Sequence, residues 1–297
     1  MDNLSLYAVA VAIWGSTWLA IKFQLGVVPP AISVVWRFAL AAAILFIYAL
    51  VKRIPLRFSV PEHLRMAAQG ILLFGSSYVC VYLSEQYLTS GLIAVIYSLL
   101  VFWTMIGARA WFGTAITATG VLAAVLGIGG VTLVFWPEVS SLSSAQDDVF
   151  GLTVALFGSI LSAGGNLIAV ENHRRGMPLI PVTVWAMMYG AMSVAIYAVL
   201  SRQSFTFDWS PPYLASLLYL VILGSVVAFV AYLTLQNRIG AERASYVAVV
   251  IPIVALGLST LFEDLQWHMN MVVGVLLCLS GNWLAYAPGV GIVPQKA

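Results

Sequence analysis

Groups able to carry charge are scarce inside the apolar runs of this 297-residue chain, so those present are the first candidates for chemistry. An ionisable side chain within the bilayer is expensive and marks a functional candidate by default. Arg37 is the deepest, about two helical turns into its run. It has two readings: a side chain that snorkels to the nearer interface, or a partner for a substrate carboxylate. Lys22, Glu85, Glu171 and Glu263 sit near run ends and read as interfacial groups. His63, His173 and His268 are placed in loops, with no second His or Cys at ligand spacing, so no metal site is expected. No paired carboxylates and no HExxH lie within the runs. That pattern speaks against a membrane-embedded enzyme, and no cofactor is expected.

Polar, aromatic and conformational chemistry remains. Gly75, Tyr78, Tyr82 and Gln86 are spaced by three, four and four, which is one face of a helix. Gly224, Ala228, Tyr232 and Gln236 repeat that face. Small residues, tyrosines and an amide suit either close helix packing or the wall of a wet cavity. Asn166 lies in mid-run, where an amide is costly unless paired or wet. The candidate substrate-binding residues are Thr17, Tyr78, Tyr82, Tyr97, Ser98, Asn166, Trp185, Tyr246 and Arg37. Pro252 interrupts its run, because its missing N–H and its ring break one helical hydrogen bond. It is either a tolerated kink or a hinge. Pro252, Gly75 and Gly224 are the candidate gating positions. Trp136, Trp209 and Trp267 stand at run ends and read as interfacial belt residues. Cys80 and Cys278 fall inside apolar runs and read as packed thiols, not a disulfide.

The elements that must position these residues follow from composition. The chain is 62% hydrophobic and 8% charged, whereas soluble domains carry about 25% charged residues. Lipid is therefore the solvent, and helices are the structures that satisfy their own backbone there. Apolar runs near twenty residues fit helices and not the short alternating strands of a barrel. Ten runs are placed near 4–23, 31–51, 66–84, 90–108, 115–136, 150–171, 181–200, 213–235, 243–262 and 270–287. The first lacks a basic flank and a cleavage pattern, so it reads as a retained span. The net charge of +2 is scattered over short loops and implies no nucleic-acid partner.

Ten of the thirteen Lys and Arg residues fall in alternate loops: Lys52, Arg53, Arg57, Arg65, Arg109, Arg174, Arg175, Arg238, Arg243 and Lys296. By the positive-inside rule these loops and both termini are cytoplasmic. The stretch Trp136–Phe150 carries Glu138, Asp147 and Asp148 with no positive charge, and is placed outside. The halves flanking it match in order. Gly15, Pro29 and Trp36 pair with Gly164, Pro178 and Trp185 at an offset of 149. Tyr82-Leu-Ser-Glu-Gln86 pairs with Tyr232-Leu-Thr-Leu-Gln236 at 150, and Gly120 with Gly274 at 154. The expected fold is all-α integral membrane, ten transmembrane helices forming two inverted five-helix repeats. Residues 1–138 form the first unit, 139–149 an outside linker, and 150–297 the second unit with a C-terminal tail. Five spans per unit is odd, so the second unit is inverted, and a substrate site between the units follows.

The chain resembles the drug/metabolite transporter superfamily in its ten-helix, EamA-type form. The residues that carry the resemblance are Ala12-Ile-Trp14-Gly15-Ser16-Thr-Trp18, Trp36-Arg37, Ala244-Ser245, Pro252, Glu263 and Gly274. Within the superfamily it is most similar to bacterial aromatic amino-acid exporters of the YddG type. The resemblance implies export of small metabolites through a cavity among spans one to four and six to nine, with spans five and ten at the periphery. The first half departs from the pattern. Ser98 stands where the second half has Pro252, and Arg109 where it has Glu263. Small four-helix relatives carry a proton-coupling glutamate in their first span, and AVAIWGSTWLA here has no acid.

The expectation is therefore a monomeric carrier of the inner (plasma) membrane, with a small-molecule substrate and the bilayer as its partners. It exports neutral or zwitterionic metabolites, foremost amino acids with aromatic or apolar side chains, by alternating access and as a uniporter without proton coupling. A drug/metabolite or nucleotide-sugar-like exchanger is the alternative. It is less well supported, since phosphate calls for clustered Lys or Arg. A channel would need a filter of charge or carbonyl rings.

Overall fold

Long apolar runs bounded by capping residues become helices, and the computed structural model describes them over residues 1–88, 90–142, 146–262 and 268–286. Ser143, Glu263, Trp267 and Lys296 lie outside the described residues. The spans are α1 (Asn3–Lys22), α2 (Pro30–Val51), α3 (Val60–Ser84), α4 (Ser90–Ser98 and Leu100–Phe112), α5 (Ala118–Val134), α6 (Gln146–Arg174), α7 (Leu179–Leu200), α8 (Pro211–Ile239), α9 (Val247–Phe262) and α10 (Met269–Tyr286). Two short helices join them: Trp136–Ser141 after α5 and Ala241–Ser245 before α9. The protein is thus an all-helical membrane protein of ten helices. The face that holds the start of α1 is called the terminal face, and the face that holds Trp136–Ser141 the linker face.

Local chemistry sets the ends. The Asp2 carboxylate accepts the Ser5 N–H at 2.8 Å, and the Thr117 hydroxyl accepts the Gly120 N–H at 3.1 Å, which are N-caps. α3 begins at Val60, several residues before the expected 66. There Glu62 accepts from the Ser59 N–H at 2.6 Å and from its hydroxyl at 2.7 Å, so a polar capping turn extends the apolar run. α6 likewise starts at Gln146 and not at 150, with Asp147 and Asp148 in its first turn, where the helix dipole favours acids. Two histidines expected in loops belong to helices: His63 to the first turn of α3 and His173 to the last turn of α6.

The two halves repeat down to backbone detail. α2 and α7 both end on an arginine in the left-handed region, Arg53 and Arg202, each at φ 54°. The turns after α1 and α6 use Gly26 (φ 123°) and Gly176 (φ 75°), where a side chain would be strained. α3 and α8 each contain a π-helical stretch in matching position, Ile71–Ser76 and Leu220–Val227.

Small residues bring the helices together, as in other membrane bundles. A Cβ on Gly130 of α5 would stand 2.6 Å from the carbonyl of Gly274 in α10, and one on Gly274 would meet the Gly130 carbonyl at the same distance. α5 and α10 thus form one tight pair. On the other flank, Gly190 of α7 packs against Gly70 and Phe74 of α3. Two tryptophans tie the halves crosswise. Trp36 donates to the Thr206 carbonyl at 3.2 Å, in the loop between α7 and α8. Its repeat mate Trp185 donates to the Leu56 carbonyl at 3.1 Å, in the loop between α2 and α3.

Candidate functional site: a central cavity between the halves

The π-helical stretches place two backbone carbonyls at the middle of the molecule. Where i→i+5 pairing returns to α pairing, one carbonyl loses its helical donor. Ser77 N–H bonds back to Leu72 and Ala228 N–H to Leu223. The next carbonyls in line find other donors: Leu73 accepts the Ser77 hydroxyl at 2.8 Å, and Gly224 accepts the Trp14 indole N–H at 3.0 Å. Leu73, Ser77 and Trp14 all line a central cavity of about 810 Å³, its mouth included.

α1, α3, α4, α6, α8 and α9 contribute the wall, together with Ser245 from the short helix before α9. Neither α5 nor α10 reaches it. Trp14, Tyr78, Tyr97, Phe229 and Tyr232 give it an aromatic girdle, and Thr17, Ser77, Ser162 and Asn166 give it hydroxyls and an amide. Among the described residues, no Asp, Glu, Lys, Arg or His lines it. Asn166 donates to the Ser162 carbonyl at 3.0 Å, while its own side-chain oxygen is buried without a partner. A buried acceptor left open is costly, so that oxygen is suited to a ligand or water.

Of the residues proposed from sequence, Thr17, Tyr78, Tyr97 and Asn166 line the cavity. Five others sit elsewhere. Arg37 is 1% exposed, so it does not snorkel to an interface. It lies one layer behind the wall, its guanidinium 4.7 Å from the centre of the Tyr78 ring, a cation–π distance. It donates to the Ser225 hydroxyl at 2.9 Å and the Tyr82 hydroxyl at 3.5 Å. No carboxylate lies within ion-pair distance of it among the described residues. Tyr82 is therefore part of the layer that holds Arg37. The Ser98 hydroxyl bonds to the Val95 carbonyl at 2.6 Å, at the break between the two segments of α4. Trp185 stacks with Tyr189 and meets the His63 ring edge-on near the terminal face.

Tyr246 turns toward α5, its hydroxyl donating to Gly120 at 3.2 Å. It also forms the break before α9, and its carbonyl accepts from Tyr7 at 3.2 Å and Asn282 at 3.3 Å. Irregular backbone at membrane depth is tolerated when protein groups re-satisfy it in this way.

The gating candidates lie around the same region. Gly75 faces α7, where a Cβ would meet the Ser193 hydroxyl at 2.9 Å. Gly224 faces Thr17 and Arg37, at 3.0 and 3.2 Å from such a Cβ. Pro252 is buried inside α9, next to the cavity residue Ile251. Glu85 was expected at an interface. It caps the linker-face end of α3 with both carboxylate oxygens buried and unpartnered. Burial pushes its carboxyl up to about 8, against the opposing pull of Lys22 and Arg37. Trp14, Ser77, Ser162, Phe229 and Tyr232 complete the wall beyond the nominated residues. A signal for two of them was present: Trp14 is in the first-span motif, and Tyr232 matches Tyr82 in the repeat.

Two five-helix units related by a repeat enclose this cavity of aromatic and small polar side chains, and the family pattern makes the protein a membrane transporter. The chain belongs to the EamA-like transporter family, whose pattern matches residues 4–136 and again 150–287. That family lies in the drug/metabolite transporter superfamily. An uncharacterised transporter of Bacillus subtilis, YoaV, is 25% identical over 92% of each chain. An uncharacterised inner membrane transporter of Escherichia coli, YedA, is 27% identical over 99% of this chain and 95% of its own. A "probable amino-acid metabolite efflux pump" of Escherichia coli is 19% identical over 94% and 93%. A solved crystal structure superposes with a TM-score of 0.79 over 96% of both chains at 15% identity, a likeness of fold.

Proposed function

We propose that this transporter exports small neutral or zwitterionic metabolites, foremost amino acids with aromatic or apolar side chains. The observation that carries the reading is the cavity wall: an aromatic girdle with scattered hydroxyls and one open amide oxygen, and no fixed charge among the described residues. Rings and aliphatic side chains of a substrate bury well against such a wall, and hydroxyls and amides can hold its polar head. A phosphate or nucleotide sugar would find no cluster of Lys or Arg there. The lack of a carboxylate among the described wall residues supports uniport by alternating access. The units 1–138 and 150–297 rock about the 139–149 linker, in a monomer. The inner membrane and cytoplasmic termini fit the loop charges, and the kinship with YedA supports the same compartment.

The test is efflux of labelled L-phenylalanine and L-tryptophan from vesicles reconstituted with the pure protein, with and without a proton gradient. Saturable efflux indifferent to the gradient is the expected result. Failure of every amino acid to move removes the substrate assignment. Efflux that follows the gradient removes the uniport assignment.

A further inference from the structure

A second, smaller and shallow cleft, about 250 Å³ with its open mouth included, lies toward the terminal face, between α3, α6, α7 and α8. Gln69, Asn172, Thr183 and Asn237 are among its lining residues, and among the described residues no Asp, Glu, Lys or Arg lines it. Gln69 and Asn172 are each 1% exposed. The Asn172 amide donates to the Gln69 side-chain carbonyl at 2.9 Å. That single bond leaves the Gln69 amide nitrogen and the Asn172 side-chain oxygen both buried and without partners. A donor and an acceptor thus stand open side by side. Buried groups of this kind require an occupant that both accepts and donates.

The cleft lies next along α6 and α8 from the central cavity. Asn166, Ala169 and His173, spaced by three and four, run down one stripe of α6. Asn166 belongs to the cavity, and Ala169 and His173 to the cleft. On α8, Tyr232 faces the cavity while Leu233 and Asn237 face the cleft. Gln236 joins them by donating to the Asn166 backbone carbonyl at 2.8 Å.

We propose that this cleft is a second substrate station that takes the zwitterionic head of an amino acid between the central cavity and the terminal face. The Gln69 amide donates to the α-carboxylate, and the Asn172 oxygen accepts from the α-ammonium. Both charges are thereby held by neutral dipoles, strongly enough to guide passage and weakly enough to release. The station rests on the amino-acid reading given above, and its test separates the two.

The reporter is Asn237→Cys in the full chain, with Cys80→Ala and Cys278→Ala, labelled by a small thiosulfonate reagent in vesicles. The probe is glycine, the head group with no side chain. Glycine at several times its Kd should slow labelling at least about fivefold, as the factor 1 + [L]/Kd requires. Adding Gln69→Met and Asn172→Leu, which removes both partners together so that neither amide is stranded, should abolish that protection. The same pair of changes without the reporter should slow L-phenylalanine exchange at least about tenfold while equilibrium binding of L-phenylalanine stays within about twofold. A reporter that glycine does not protect, or that never reacts because the amides are packed dry, overturns the station. So does exchange at the wild-type rate in the doubly substituted chain, which would leave the cleft holding water only. If the unaltered chain moves no L-phenylalanine while glycine still protects, the side-chain preference falls and the station stands. If L-phenylalanine moves and glycine gives no protection, the station alone falls.

Discussion

Arg37 and Glu85 are two buried ionisable groups with no ion-pair partner among the described residues, and each makes a prediction. Arg37 is held by the Ser225 and Tyr82 hydroxyls and by the face of Tyr78. Arg37→Met strands both hydroxyls and removes bonds of the charge-assisted kind. It should lower unfolding free energy by about 2–3 kcal/mol, read from thermal or denaturant unfolding in detergent; a change near zero would contradict the buried placement. Glu85 acts in the opposite sense. Its folded-state carboxyl sits at about 8 against an ordinary 4.5. The native protein therefore keeps a proton that the unfolded chain has released over that interval. Its contribution to stability is complete below the lower value and is lost as pH rises through about 8. Wild-type stability should fall across this window, and the Glu85→Gln profile should be flatter. Parallel profiles would show that the carboxyl is solvated.

Breaks in the helices organise the cavity more than any single side chain does. α3 and α8 widen into π-helical stretches, α4 breaks at Leu99, and Tyr246 interrupts the approach to α9. Pro252 lies a turn and a half beyond that last break. If α9 bends there during transport, Pro252→Ala should slow exchange about tenfold, ~1.4 kcal/mol in barrier, with expression and unfolding temperature unchanged. Wild-type exchange would make it a passive kink. These breaks also explain what was readable in advance. Hydropathy alone locates the ten helices, and the spacing of Tyr78 puts it on the face that lines the cavity. Extending that face to Gly75 and Tyr82 assumes uniform helical pitch. The π-helical stretch Ile71–Ser76 violates that assumption for Gly75, which meets α7; Tyr82 lies beyond the stretch on the face of Tyr78, and both meet Arg37, but Tyr78 also lines the cavity. Trp185 matches Trp36 in the repeat. The match is real, but the shared task is holding a loop. Helix ends shifted wherever capping residues such as Ser59 and Glu62 added polar turns that hydropathy does not see.

At the scale of the whole molecule, five helices per unit force the second to enter the bilayer reversed, with the acidic linker on the face opposite the chain start. A tag inserted at Ser143 should be labelled in intact cells by a reagent that cannot cross the membrane. Labelling only after permeabilisation would turn the protein over and refute the charge-based orientation. The two tryptophan bonds gain meaning from this reversal. Trp36 grips the second unit's loop near the linker face, and Trp185 grips the first unit's loop near the terminal face. The same hook and the same eye are thus used twice, once at each surface of the membrane. A single five-helix ancestor able to insert either way up would have met its own opposite with both fastenings already in place. Joining two such genes end to end would have supplied a tether to an embrace that already existed.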